Sequence, residues 1–264
     1  MSLSPVVRWL RTLLRGRLLS GPSWPPKPRV PRVRPTVEAL EDRRVLSASG
    51  FMAVLPAPQG GAWLAENARL AVRRGAPAVV FLGDSILARF ESRVGGAVWR
   101  GAIAPLNAAD FAIPRSMTQN VLWQIDQGLL NGLSPRVIVL LVGTNNLALL
   151  GNSPAEVAAG VASCLGALQA RQPHAHVLLL GLLPRDRNPR APLRALVQQT
   201  NALLPGVAAQ YHADFLDPGP ALLNRNGTLV AGVFGPDAIH PTGLGYQILA
   251  DELLPAVRRL LASR

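Results

Sequence analysis

Short apolar runs at 78–83, 106–111, 137–142 and 176–181 recur along the chain, separated by longer stretches with helical spacing. A fifth run, 211–216, is weaker. The helical stretches fall at 62–74, 85–93, 116–130, 153–171, 192–204 and 243–262. Ser153-Pro-Ala-Glu156 opens one of them with a serine cap, a proline at the first helical position and a glutamate three residues on. Strands this apolar must be covered on both faces, so the alternation predicts a five-stranded parallel sheet in a three-layer α/β/α sandwich. Ligands of such sheets sit beyond the carboxyl ends of the strands. Ser85 follows the first run, Asn145 follows the third, and residues 237–240 precede the closing helix, so all can meet at one edge. There is no internal repeat and no glycine loop of the phosphate-binding kind.

The 264 residues carry a net charge of +12, unevenly placed. Residues 1–60 hold nine Arg and one Lys against three acids, a balance of +7, which leaves +5 for the rest. Aromatic residues are only 5% of the chain, too few for the base-stacking platforms of a nucleic-acid binder. Residues 5–19 place Val6, Val7, Leu10, Leu13 and Leu14 against Arg8, Arg11 and Arg15, the pattern of an interfacial or targeting helix or of a solvated basic tail. Residues 21–36 are proline-rich and read as an extended linker. Residues 1–60 are accordingly expected to be a disordered targeting or linker segment, with contacts to a membrane surface or export machinery, and 61–264 the folded domain. Cys164 falls in a helical apolar pattern and reads as inert core.

Gly83-Asp84-Ser85 places a hydroxyl at the carboxyl end of the first strand. Leu87 stands where the G-x-S-x-G nucleophile elbow needs its second glycine, so an ordinary α/β-hydrolase is disfavoured. Taken alone, a serine after a strand is more often a helix cap. Asp237-Ala-Ile-His240, far along the chain, supplies a carboxylate and an imidazole, the remaining parts of an acyl-transfer site.

In Gly83-Asp84-Ser85, Val142-Gly-Thr-Asn-Asn146 and Asp237-Ala-Ile-His-Pro241, followed by Gly243, Gly245 and Tyr246, the chain resembles the SGNH (GDSL-type) esterases. Asn120-Val-Leu-Trp123, Arg171-Gln-Pro173 and Gly181-Leu-Leu-Pro-Arg185 resemble the acetylhydrolase catalytic subunits within that superfamily that act on platelet-activating factor. The likeness runs from about 78 to 262 and implies a flavodoxin-like fold. It implies Ser85 as nucleophile, His240 as base and then acid, and Asp237 as the group that orients the imidazole. The oxyanion hole would comprise the Ser85 N–H, the Asn145 amide and a backbone N–H from a second block. That block here reads Phe111-Ala-Ile-Pro-Arg-Ser116, with Arg115 where the family carries glycine. The Arg115 N–H can still donate provided that the local backbone conformation suits a residue with a Cβ, and Pro114 has no N–H to offer. The resemblance also suggests a homodimer.

Other candidates read as structural: Asp84 as a hydrogen-bonder in the turn, His174 and His176 as solvated turn residues, and His212 on a weak edge strand. Arg185 reads as a solvated loop cation, and Leu249, Leu253, Leu254 and Leu260 of the last helix as core. A second short element, Val37-Glu-Ala-Leu-Glu-Asp-Arg-Arg-Val-Leu-Ser-Ala48, resembles one near the N-terminus of many exported bacterial surface proteins, which implies export or attachment to a cell envelope; a cytoplasmic location is the alternative. The expected function is metal- and cofactor-independent hydrolysis of small carboxylic esters, short acyl or acetyl groups being favoured by resemblance. A weakly active module that binds acyl ligands and an acyltransferase are the alternatives.

Overall fold

The computed structural model describes residues 52–73 and 75–263. In chain order the regular elements are α1 (Gly61–Ala71), β1 (Val79–Gly83), α2 (Ser85–Ala88), α3 (Gly96–Val98), β2 (Ala108–Asp110), α4 (Thr118–Asp126) and β3 (Val137–Leu141). There follow α5 (Pro154–Arg171), β4 (His176–Leu180), α6 (Pro192–Gln210), β5 (Asp214–Leu216) and α7 (Gly243–Ala262). The strands are parallel throughout and lie in the order β2-β1-β3-β4-β5, the flavodoxin-like arrangement. Chain order reverses beside β1, which has β2 on one side and β3 on the other. Sheets of this kind bind their ligands in the crevice beyond such a switch point, here beyond the end of β1.

Strand periodicity divides the core in two. Val79, Phe81, Val137, Val139, Leu141, Leu178 and Leu180 face one layer, where they meet Ile86, Leu87 and the buried face of α7. Val80, Leu82, Ile138, Leu140 and Leu179 face the other, against α1, α4, α5 and the second half of α6. All five residues of β1 and of β3 are buried, which explains why these runs carry no polar alternation.

Three expectations shift. The helix expected over 192–204 runs on through Pro205 to Gln210. Leu204 and Ala208, at 0% and 1% exposure, pack on either side of the proline and outweigh the lost backbone bond. The fifth strand begins at Asp214 rather than 211, because Tyr211 and His212 still bond back to Ala208 and Ala209 at the helix end. His212 lies in that turn with φ 52°, not on a strand. The third shift lies at the front of the domain. Ala53 is fully buried and its carbonyl accepts from Thr118 Oγ1 at 2.9 Å, so the segment 53–60, assigned from sequence to the linker, packs with the fold. The basic pattern at 5–19, the proline-rich stretch and the 37–48 element lie outside the described residues. Among the described residues, no helix is long and apolar enough to cross a membrane.

An aromatic cluster backs β1 and α2. Phe90 stacks on Tyr246 at 4.8 Å, and Phe81, Phe90 and Trp99 meet edge to face. The Tyr246 hydroxyl, inside this cluster, donates to the Ile86 carbonyl at 2.7 Å and ties α7 to the turn of α2. Tyr246→Phe should keep the packing but strip that carbonyl of its donor, lowering unfolding free energy by about 1–3 kcal/mol in chemical denaturation. Unchanged stability would mean that the bond is not holding the turn.

Candidate active site

At the end of β1, the side chain of Asp84 caps α2 by accepting from the Ile86 N–H at 2.9 Å. The cap position belongs to Asp84 and not to the serine, so the Ser85 hydroxyl is free to face the crevice. Burial pushes Asp84 up to about 7, while the Ile86 N–H and the Arg185 guanidinium pull the other way. Gly83 is required by closeness: a Cβ there would run into the carbonyl of Leu141 on β3.

Ser85 Oγ lies 2.9 Å from His240 Nε2, and His240 Nδ1 lies 2.7 Å from Asp237 Oδ2. The other Asp237 oxygen accepts from the N–H groups of Ile239 and His240, each at 3.0 Å. Partial burial raises the Asp237 carboxyl, but the bonds from the His240 ring and the two N–H groups outweigh it and bring it down to about 2. The Asp237 side chain is 43% exposed, so fixed backbone donors rather than burial hold it in place. Ala238, between the pair, sits at φ 54°, an uncommon conformation for a residue with a Cβ.

Two further groups reach the same edge. The β1/β3 register pairs Gly83 with Leu141, so Asn145, shortly after β3, lies at the same carboxyl edge of the sheet as Ser85. Asn145 Nδ2 donates one hydrogen to the Ser116 carbonyl at 2.9 Å, which leaves its second for another acceptor. On the other side, Phe111 and Ile113 continue the β1 pairing by donating to the Phe81 and Gly83 carbonyls. The next residues turn sharply, the Ser116 N–H returning to the Ile113 carbonyl at 3.2 Å. Pro114 takes the second place of this turn and Arg115 the third, with φ 66°. That is the pattern of a type II turn, whose third residue is normally glycine. A residue with a Cβ there costs about 1–2 kcal/mol. Arg115 thus adopts the conformation that a glycine would take, with its side chain exposed.

Several buried polar residues that sequence reasoning passed over hold these loops. Asn146, fully buried, accepts from the Thr118 N–H and donates towards Thr118 Oγ1, Gln119 Oε1 and Asn152 Oδ1. It binds the start of α4 to the end of β3. Arg194, 1% exposed, donates to the carbonyls of Arg185, Asp186 and Gly227. The Asp186 N–H in turn donates to the Ala238 carbonyl at 3.0 Å, bracing the loop that carries Asp237 and His240. Arg185 is buried, not solvated, and donates to Thr144 Oγ1 at 3.1 Å. His176 opens β4 instead of lying in a turn and pairs with Ser263 Oγ at 3.1 Å. Nothing in the sequence pattern marked Arg194, since an arginine in the first turn of a helix ordinarily faces water; for Asn146 the only signal was its place in the Gly-Thr-Asn-Asn run.

Residues 81–248 match the GDSL-like lipase/acylhydrolase family model. Platelet-activating factor acetylhydrolase IB subunit alpha1 of Homo sapiens is 34% identical over 205 residues, covering 76% of this chain and 85% of that protein. Among solved structures, a GDSL-like lipase from Bacteroides thetaiotaomicron aligns with a TM-score of 0.59 at 22% identity, over 75% of this chain and 96% of the other. An acetylxylan esterase from Geobacillus stearothermophilus aligns at 0.55 with 16% identity, over 72% and 96%. These two structural likenesses bear on the fold.

Asn146→Ala should leave the Thr118 N–H and the Asn152 side-chain oxygen without their partner and take a donor from Gln119 Oε1. We expect a loss of about 2–4 kcal/mol of stability by chemical denaturation, above the mean for a single substitution. A loss under about 0.5 kcal/mol would show that the network is not holding α4 to β3.

Proposed function

Given that the chain belongs to the GDSL-like lipase/acylhydrolase family, and is thus a hydrolase of esters, we propose that it works through an acyl-serine intermediate on Ser85. The observation that carries this reading is the unbroken relay from Ser85 Oγ to His240 Nε2 at 2.9 Å and from His240 Nδ1 to Asp237 Oδ2 at 2.7 Å.

Neutral His240 takes the Ser85 proton at Nε2 as Oγ attacks the acyl carbonyl carbon. The charged imidazole then gives that proton to the departing alcohol oxygen as the tetrahedral species collapses. Water repeats the sequence on the acyl group, which leaves as the acid and regenerates the serine. Asp237 keeps Nδ1 protonated and stabilises the imidazolium. The negative oxygen of the tetrahedral species would be met by the N–H groups of Ser85 and Arg115 and by the second amide hydrogen of Asn145. Each such donor is worth about 3–4 kcal/mol in the transition state. The left-handed backbone at Arg115 supports an active hole over a disabled one, because it is the conformation that a glycine would take there, kept despite its cost for a residue with a Cβ. For the acyl group we favour acetyl or another short chain, on the strength of the 34%-identical relative named as an acetylhydrolase.

A fluorophosphonate should label the wild type and leave Ser85→Ala unmodified, and Ser85→Ala should lose at least about 1000-fold in kcat on 4-nitrophenyl acetate. Labelling that survives the substitution would remove Ser85 from the mechanism. In a panel of esters, kcat/KM should fall as the acyl chain lengthens beyond a few carbons; a maximum at long chains would contradict the short-acyl reading.

The pH dependence follows from protonation at two sites. Asp237, held at about 2, stays charged throughout the range in which the protein would be assayed. Acid loss of kcat/KM therefore comes from His240, which must be neutral to take the serine proton, and kcat/KM should rise with pH. A flat profile on a slow substrate would contradict the role of His240 as base.

A further inference from the structure

Over the described residues, the exposed large apolar side chains gather at one edge of the sheet. Val72, just past α1, and Leu203, in the second half of α6, lie away from it; the others stand at the carboxyl ends of the strands, with Ser85. Leu149 and Leu150, at 49% and 40% exposure, belong to the turn 146–150 that follows β3. Leu244, 52% exposed, lies in the first turn of α7, shortly after His240. Val94 is its neighbour, since a Cβ on Gly243 would lie 3.6 Å from the Val94 carbonyl. Leu64 is in the first turn of α1, whose start is tied to this edge by Gln59 Nε2 on the Arg115 carbonyl at 2.7 Å and Trp63 Nε1 on Ser116 Oγ at 2.9 Å. Met52 and Leu55 stand on either side of Ala53, whose carbonyl is bonded to Thr118 at the start of α4.

Exposed arginines stand among these side chains. Arg93 precedes Val94, Arg190 lies in the loop after β4, and Arg225 in the loop after β5. The last two loops adjoin, because Arg194 donates both to the Asp186 carbonyl at 2.6 Å and to the Gly227 carbonyl at 3.1 Å. Among the described residues, none of the three arginines is paired with a carboxylate. The acids of this edge are already engaged. Glu91 pairs with Arg73 at 2.8 Å, Asp186 lies 3.9 Å from Arg185, Asp217 accepts from the Gly219 N–H at 2.9 Å, and Asp237 holds His240. A single exposed leucine is ordinary on a protein surface. Collected at one edge and interleaved with arginine, such residues fit an anionic bilayer, whose acyl boundary takes the leucines and whose headgroups take the guanidinium groups. A second copy of the chain, or the arginine-rich residues 1–44, would bring like charge to the edge instead.

We propose that the carboxyl edge of the sheet is a docking surface for anionic lipid membranes, where Val94, Leu149, Leu150 and Leu244 enter the interface and Arg93, Arg190 and Arg225 meet the headgroups. A docked molecule holds Ser85 on the side that faces the bilayer. That consequence rests on the reading of Ser85 as the nucleophile; the docking itself does not.

The test uses the full chain with vesicles of phosphatidylcholine alone or mixed in equal parts with phosphatidylglycerol. Cys164, the only natural cysteine, is buried. An environment-sensitive fluorophore can therefore be attached through Leu150→Cys or, at the opposite edge, through the exposed position His174→Cys. Mixed vesicles should raise the emission at 150 at least about twofold and leave that at 174 nearly unchanged. No rise at 150, or an equal rise at 174, would overturn the docking surface, even where residues 1–44 hold the protein on the vesicles. A rise at 150 with protein concentration and no lipid would assign the edge to a second copy and overturn it too. In sedimentation with mixed vesicles, Leu149→Ser with Leu244→Ser, and separately Arg93→Gln with Arg190→Gln and Arg225→Gln, should each weaken binding about 10-fold or more. Binding within about twofold of wild type in either set would contradict the proposal. Fluorophosphonate labelling of Ser85 is read separately in solution. Wild type that refuses the label would overturn the site reading and leave the docking result standing.

Discussion

The site depends on the pairing of β1 with a neighbour on each side in fixed register. Gly83 opposite Leu141 puts Asn145 at the same edge as Ser85, and the continuation of the β2 pairing to Ile113 sets the Arg115 turn on the other flank. A slip of one residue in either pairing would turn every side chain to the wrong face and bury polar groups in the core. Apolar packing on both faces of the sheet forbids that slip. The hydrophobic pattern thus fixes the chemical geometry as well as the fold.

What arrives at this edge is held by backbone hydrogen bonds more than by burial. Asp237 is fixed by two N–H donors from its own loop despite its exposure. That loop is braced by the Asp186 N–H, and the Asp186 carbonyl is bound by the buried guanidinium of Arg194. The cation meets carbonyl oxygens at 2.6 Å to Arg185 and to Asp186, so its burial is compensated by charge-assisted bonds rather than by an acid. Asn146 does the same service for the loop after β3. Non-glycine residues with left-handed backbone, Arg115 and Ala238, sit in the turn and the loop that face Ser85, where the surrounding bonds can sustain the strain.

Much of this was legible in the sequence, for a physical reason. Strands buried on both faces must be apolar at every position, so 79–83 and 137–141 announced themselves, and their alternation with helices fixed a parallel sheet. Ser85, Asn145, Asp237 and His240 stood in separated motifs whose order matched a known family, and the structure brings all four to one edge. Long-range satisfaction of polar groups was not legible. Arg194 looks like any helical arginine until its three carbonyl partners are known, and Arg185 looked solvated until Thr144 was seen against it. Gln59 lies in a stretch whose prolines and glycines suggested a linker, because its binding partners are more than fifty residues away. The passage of α6 through Pro205 shows tertiary burial overriding a local breaker.

The central claim is that the Ser85 hydroxyl and the three oxyanion donors converge on one reacting carbonyl. A crystal structure of the protein carrying a small phosphonyl adduct tests it most directly. The account predicts phosphorus bonded to Ser85 Oγ, with the phosphonyl oxygen about 2.7–3.1 Å from the Ser85 N, Arg115 N and Asn145 Nδ2 atoms. A phosphonyl oxygen turned to solvent, with Arg115 N pointing away from it, would contradict the account.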